Sequence, residues 1–283
     1  MLNWLNKHNN NYAKFLKELI FRMKDDSVTA IGAQLSYFLV LSAFPFLIFF
    51  LNILSYTSIA REDVLHSIIV LLPLDTQRLI YTLLIETIVT SNETLLSLSA
   101  ITGIWAASKG ILALIRVLNK AYDVEETRTY LELRGIAVLF TIALLALLLL
   151  VLLTLVFGEV LGNRIFEFLG ITKKFISFWK YFRVTISLFS MIFIFTLLYR
   201  FVPSIKNDHK ISFKHAIPGA VFTSIGWIIT STIFSYYVNN FGNYGKTYGS
   251  LGGIIVLLIW LYISSIVIIM GGEINATLRS LDS

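Results

Sequence analysis

LGGIIVLLIWLYISSIVIIMGGEIN, residues 251–275, decides the fold. Residues 251–272 carry no charge. At about 1.5 Å per helical residue they reach roughly 33 Å, enough to cross a hydrocarbon core about 30 Å thick. Glu273 follows directly, so GGEIN is expected where a membrane helix meets water.

The rest of the chain agrees with this stretch. Of its 283 residues, 57% are hydrophobic and 14% charged, and the mean hydropathy is +0.78. A soluble domain averages about 25% charged residues. Composition therefore reads as an all-α integral membrane protein. The chain has no cysteine, which excludes thiolate metal sites and thiol nucleophiles. The net charge of +6 matters less than where the charges fall.

Six spans are expected, at about 30–54, 95–115, 136–157, 176–199, 216–237 and 251–272, within a transmembrane domain of residues 30–276. Residues 1–29 read as a cytoplasmic amphipathic helix. Leu5, Tyr12, Phe15, Leu16, Leu19, Ile20 and Met23 recur at helical spacing among Lys7, Lys14, Lys17 and Lys24. Two short apolar pieces split by Pro73, within 55–94, are too short to span and read as extracytoplasmic helices. Residues 277–283 form a cytoplasmic tail.

Loop charges orient the spans. Lys and Arg gather before the first span, between spans two and three, and between spans four and five. The positive-inside rule then puts both termini in the cytoplasm. The loop before span four disagrees, with Arg164, Lys173, Lys174, Lys180 and Arg183. Lys180 and Arg183 are expected to snorkel toward the outer headgroups.

Several polar residues lie within these spans. Lys109 costs at least about 2.5 kcal/mol at a helix centre on insertion scales, so it needs water or a partner. Glu273 falls in the same inner third and is the expected partner. Lys109, Arg116 and Lys120 share a helix face and form a basic stripe that can hold an anionic headgroup. Gln34 and Asn52 need partners in the first span, and Pro45 is expected to kink it. Gly219, Thr223, Gly226 and Thr230 line one face of the fifth span, with Ser224, Ser231 and Ser235 beside it. Such rows permit close helix packing or border a polar route. The four histidines lack metal-ligand spacing, and no phosphate loop or catalytic acid pair is legible. No metal and no cofactor is expected.

Four blocks resemble the YihY/BrkB family of bacterial inner-membrane proteins, formerly labelled ribonuclease BN. They are AIGAQLSYFLVLSAFPFL (30–47), SKGILALIRVLNKAYDV (108–124), LYRFVPSIK (198–206), and residues 218–262 with the GGEIN motif. The resemblance covers about residues 25–276. It implies six membrane helices with cytoplasmic termini in the bacterial inner membrane, and it implies no activity.

The reading these residues favour is a transporter or flippase-like protein handling an anionic amphiphile or lipid. Lys109 and Arg116 would bind the headgroup, with Gln34, Asn52, Thr223 and Thr230 along the route. The alternatives are an ion or small-solute exchanger using Glu273 and Lys109, and an envelope scaffold acting through 55–94. Membrane lipids are the expected partners, with no nucleic acid. Oligomerisation is left open, and a ribonuclease has no candidate residues here.

Overall fold

The computed structural model describes residues 2–56, 93–152, 173–205, 211–241 and 249–282. Seven α-helices and one 3₁₀ turn (Gly249–Leu251) occur among them, with no strand. The helices are α1 (Leu2–Asp25), α2 (Val28–Tyr56), α3 (Glu93–Ala121), α4 (Tyr130–Leu152), α5 (Lys173–Phe201), α6 (Phe213–Phe241) and α7 (Gly252–Asp282). Five of them, α3 to α7, are long and apolar enough to cross a membrane. In α2 the described apolar stretch is Val28–Ser42, although the helix continues through Pro45 to Tyr56. The helices expected within 55–94 lie outside the described residues.

Local chemistry explains the helix ends. Residues 129–132 read TYLE, a capping box in which the Thr129 amide donates to Glu132 Oε2 at 2.9 Å. The Glu132 amide returns toward Thr129 Oγ1 at 3.4 Å. α3 ends at Ala121, and Asp123, two residues on, has a left-handed φ of 53°. The amides of Asp123 and Val124 then fold back onto Lys120 O and Asn119 O, both at 2.9 Å, which satisfies terminal carbonyls. Ser27, with φ 52°, makes the corresponding reversal between α1 and α2.

Contacts at one end set the topology. Lys120, at the end of α3, meets Asp26 at the start of α2. Asn119 Oδ1 accepts from the Ser204 amide just beyond α5 at 2.7 Å. Arg128 Nη2 donates to Val202 O at 2.9 Å, ahead of α4. Near the start of α6, the Gly219 amide donates to Asn275 of α7. Successive helices from α2 to α7 are therefore antiparallel, and α1 packs at the end where α7 finishes. The closest-packed core lies in this half. Ile115, Leu118, Leu198, Tyr199, Ala216, Ala220 and Ile269 are all essentially inaccessible.

Elsewhere large apolar side chains face outward, including Leu139, Phe189, Phe193, Ile229 and Ile233. In a membrane protein these are lipid-facing surfaces, so van der Waals fit and interhelical hydrogen bonds hold the bundle rather than water exclusion. Trp227 Nε1 donates to Ser264 Oγ and Trp260 Nε1 to Ser231 Oγ, both at 3.1 Å, joining α6 to α7. Ser224 Oγ donates within its own helix to Ala220 O at 2.8 Å. This polar row of α6 is used for packing.

Two expectations change here. Arg183 is buried at 7% exposure rather than extended toward headgroups. GGEIN is not exposed to water: every residue from 271 to 277 is buried, and α7 continues to Asp282. The two glycines serve close approach. A Cβ on Gly271 would overlap Thr223 Oγ1 and Tyr199 OH, and one on Gly272 would overlap the Leu118 side chain.

Candidate functional site

Two sites emerge from the polar residues of the spans. The first is a groove of about 250 Å³ bordered by α2, α3 and α4. α3 supplies Lys109 and Arg116, seven residues apart, α2 supplies Gln34, and α4 supplies Arg134. All but Arg134 are exposed. Arg134 is 7% exposed, and its guanidinium lies 3.8 Å from the centre of the Trp105 ring. It also donates from Nη2 to Trp105 O at 3.2 Å, while its buried Nε meets no acceptor among the described residues. No ion pair joins Lys109, Arg116 or Arg134 to an acid among the described residues. Trp105 and Tyr130 stand exposed at its rim.

Three cations line one opening, with no acid paired to them among the described residues, and give it a positive wall. Arg presents a planar fork suited to phosphate or carboxylate, and Lys a compact point charge. Cation–π contact with Trp105 fixes the Arg134 plane at the groove wall.

The second site surrounds Glu273. This residue has 0% exposure, and neither carboxyl oxygen has a hydrogen-bond partner among the described residues. The charged groups acting on it are Asp26, Arg22 and Lys120. The expected Lys109–Glu273 ion pair is absent among the described contacts: Lys109 opens onto the groove, and Glu273 is enclosed at the α1 end. Lys120 also leaves the expected stripe. Its Nζ lies 3.1 Å from Asp26 Oδ1 and 3.6 Å from Asp25 Oδ2, and it donates to Asp25 O. Its partners are thus the two acids at the α1–α2 junction.

A cleft of about 550 Å³ adjoins this cluster, lined by Arg22, Tyr122, Asp123, Ser204 and Arg279. Arg22 is tied to Glu18 at 2.9 Å, to Ala121 O at 2.8 Å and to Asp123 at 3.7 Å. Tyr122 lies just beyond α3. Burial, the largest influence, pushes its hydroxyl pKa well above the ordinary range, and the nearby Arg279 guanidinium opposes this.

The remaining route residues go elsewhere. Thr223 is fully buried, with its Oγ1 at 2.6 Å from Tyr199 OH and 3.4 Å from Val267 O. Thr230 Oγ1 donates to Gly226 O at 2.8 Å in its own helix. Neither borders the groove. The Asn52 side chain lies outside the described residues. Sequence reading missed Arg134, which looks like a loop charge because it stands just before an aliphatic run. It also missed Asp26 beside Glu273, since the two are far apart in sequence. The tyrosine and tryptophan flanking the basic residues were the available signal for the groove.

The fold defines a multi-pass α-helical membrane protein, and α2, α3 and α4 border a cationic groove. The family model described as virulence factor BrkB matches residues 19–282, and the chain belongs to that family. It is 43% identical over 265 residues to a ribonuclease-like protein, YfkH, of Bacillus subtilis, covering 94% of this chain and 95% of that one. A UPF0761 membrane protein of Tolumonas auensis is 40% identical over 82 residues, 29% of this chain and 26% of that one. One from Pseudoalteromonas translucida is 38% identical over 82 residues, with the same shares. No solved structure matches.

Proposed function

We propose that this protein binds an anionic amphiphile, such as an acidic phospholipid, in the groove between α2, α3 and α4 and moves it across the membrane. The observation that carries the reading is the trio Lys109, Arg116 and Arg134 around one opening, without acidic partners among the described residues. A lateral groove lets a headgroup enter while its acyl chains stay in lipid. Gln34 adds a neutral hydrogen-bonding group at the wall. In this reading α2 is the sixth span, and the α1 end faces the cytoplasm, as the loop charges require. The cations then sit near the inner leaflet, where acidic lipids contribute about 1 kcal/mol of attraction per basic residue.

The test uses protein in nanodiscs of zwitterionic lipid, titrated with short-chain phosphatidylglycerol and followed by calorimetry. Lys109→Gln/Arg116→Gln/Arg134→Gln should bind at least about tenfold more weakly, since each 1.4 kcal/mol is a factor of ten. Equal affinity for anionic and zwitterionic lipid in the wild type would sink the binding claim. Movement is tested separately by fluorescent-lipid translocation in proteoliposomes, where binding without translocation removes the transport half. RNA added to the same preparation tests the activity named for YfkH.

The exchanger reading loses its expected ion pair, and its two residues occupy separate sites. The scaffold reading rests on 55–94, which lies almost wholly outside the described residues.

A further inference from the structure

Glu273 is used by nothing in the groove. A carboxylate with no exposure and no donor on either oxygen is among the costliest groups to leave inside a membrane helix. What lies against it is another acid. Asp26, 4% exposed, projects its carboxyl toward Glu273 from the turn between α1 and α2. Asp26 already has its counter-charge, Lys120 Nζ at 3.1 Å from Oδ1. Both carboxyls are acceptors, so no protein donor joins them. One added proton would supply the donor, cancel the second charge and link the two side chains.

No neighbouring group donates to either Glu273 oxygen among the described residues. From α1, Arg22 is engaged by Glu18, Ala121 O and Asp123. From α3, Lys120 is held by the two aspartates. Tyr122, beyond α3, has a buried hydroxyl with no hydrogen bond among the described residues, and Arg279 stands beside that ring. From α5, Tyr199 OH is committed to Thr223 and Ile268 O, both at 2.6 Å. α6 approaches α7 through Gly219 and Thr223, which carry no charge. One turn along α7, Thr277 is fully buried with its Oγ1 also unpartnered.

We propose that Glu273 is a proton-binding site, its acid form hydrogen-bonded to the Asp26 carboxylate, and that losing this proton loosens the α1–α2 turn from α7. On deprotonation the Glu273 O–H bond breaks and the proton passes to water. The two facing carboxylates then repel, and only the outer one has a cation in contact. The site is separate from the groove and does not depend on what the groove binds.

Infrared difference spectra of the full chain in nanodiscs across a pH series test the first half. A carboxylic C=O band, shifted in heavy water, is expected in the wild type and absent in Glu273→Gln. The amide of that variant keeps a donor toward Asp26, so it is expected to fold. Hydrogen exchange tests the second half: after correction for intrinsic rates, the turn at residues 22–28 should open with rising pH in the wild type and not in Glu273→Gln. A wild type lacking a Glu273-dependent band at every pH overturns the proposal. Exchange that rises equally in both proteins overturns the coupling. Should Glu273→Gln not fold, Asp26→Asn decides. Loss of the neighbouring charge must move the band's titration toward acid, and an unmoved titration overturns the site.

Discussion

The side-chain amide of Asn275 acts as a piece of backbone for Gly219. Asn275 Oδ1 accepts from the Gly219 amide at 2.7 Å, and its Nδ2 donates to Ala216 O at 3.0 Å. Both backbone groups flank Pro218, which supplies no N–H of its own. All these groups are buried, where an unmade hydrogen bond costs about 1–3 kcal/mol. Asn275→Ala should therefore lower stability by about 2–4 kcal/mol, two such groups being exposed to no partner. The shift is read from thermal unfolding in detergent, and an unchanged melting temperature would refute the role.

Gly219→Ala attacks the same junction from the other side. Its Cβ would overlap Gly271 O and the Asn275 amide, and the first of these is backbone that cannot swing away. Overpacking of this kind typically costs about 1–3 kcal/mol. Gly135→Ala, with open space around it, is the control and should leave stability unchanged or slightly raised. Equal melting of the two variants would show that α6 and α7 are not so closely apposed.

Tyr199 and Thr223 separate packing from hydrogen bonding. Tyr199→Phe removes the hydroxyl that meets Thr223 Oγ1 and Ile268 O and keeps the ring in the core. It is expected to cost about 1 kcal/mol. Thr223→Val in the Tyr199→Phe background should cost less than in the wild type, because the shared bond is already gone. Additive losses in the double-mutant cycle would contradict a direct bond.

Acid pH should weaken the loop after α3. Burial acts to raise the Glu126 pKa, but hydrogen bonds from Arg128 and Asn119 outweigh it and hold the carboxyl at about 2 rather than 4.5. A carboxyl lowered in the folded state contributes stability that is complete above its unfolded value and is lost as pH falls through the folded one. Melting temperature should thus drop between pH 4.5 and about pH 2, and Glu126→Gln should flatten that limb. The same slope in both proteins would assign the acid sensitivity elsewhere.

At the groove, charge and shape make separable contributions. Arg134→Lys keeps the cation but loses the planar stack on Trp105 and the bond to its carbonyl. Anionic-lipid affinity should fall in the order wild type, Arg134→Lys, Arg134→Gln. Lys binding as well as Arg in calorimetric titration would show that only charge matters there.

Helix identity was plain from sequence because uncharged runs of this length have few alternatives in a bilayer, where backbone polar groups must be satisfied internally. The family blocks were legible too. What periodicity did not reveal was which polar residues meet across helices. Lys109 and Glu273 shared a depth, but depth leaves the rotation of each helix about its axis open. Rotation is set here by small residues such as Gly219 and Gly271, which draw α6 and α7 together. It sends Glu273 toward Asp26 and turns Lys109 into the groove. The close-contact role of Gly271 and Gly272 was hidden for the same reason: a glycine's letter does not say which neighbour it lets approach.

Trp105 gives the groove an optical voice. The Arg134 guanidinium lies over its ring at 3.8 Å, and the indole itself is exposed. A charge that close shifts the energy of the indole excited state, and an anion drawing Arg134 away would alter emission colour and yield. Four other tryptophans would add background, so replacing them with phenylalanine would leave one native fluorophore at the groove wall. Occupancy of the groove can then be followed in real time, without attaching a dye to either protein or lipid.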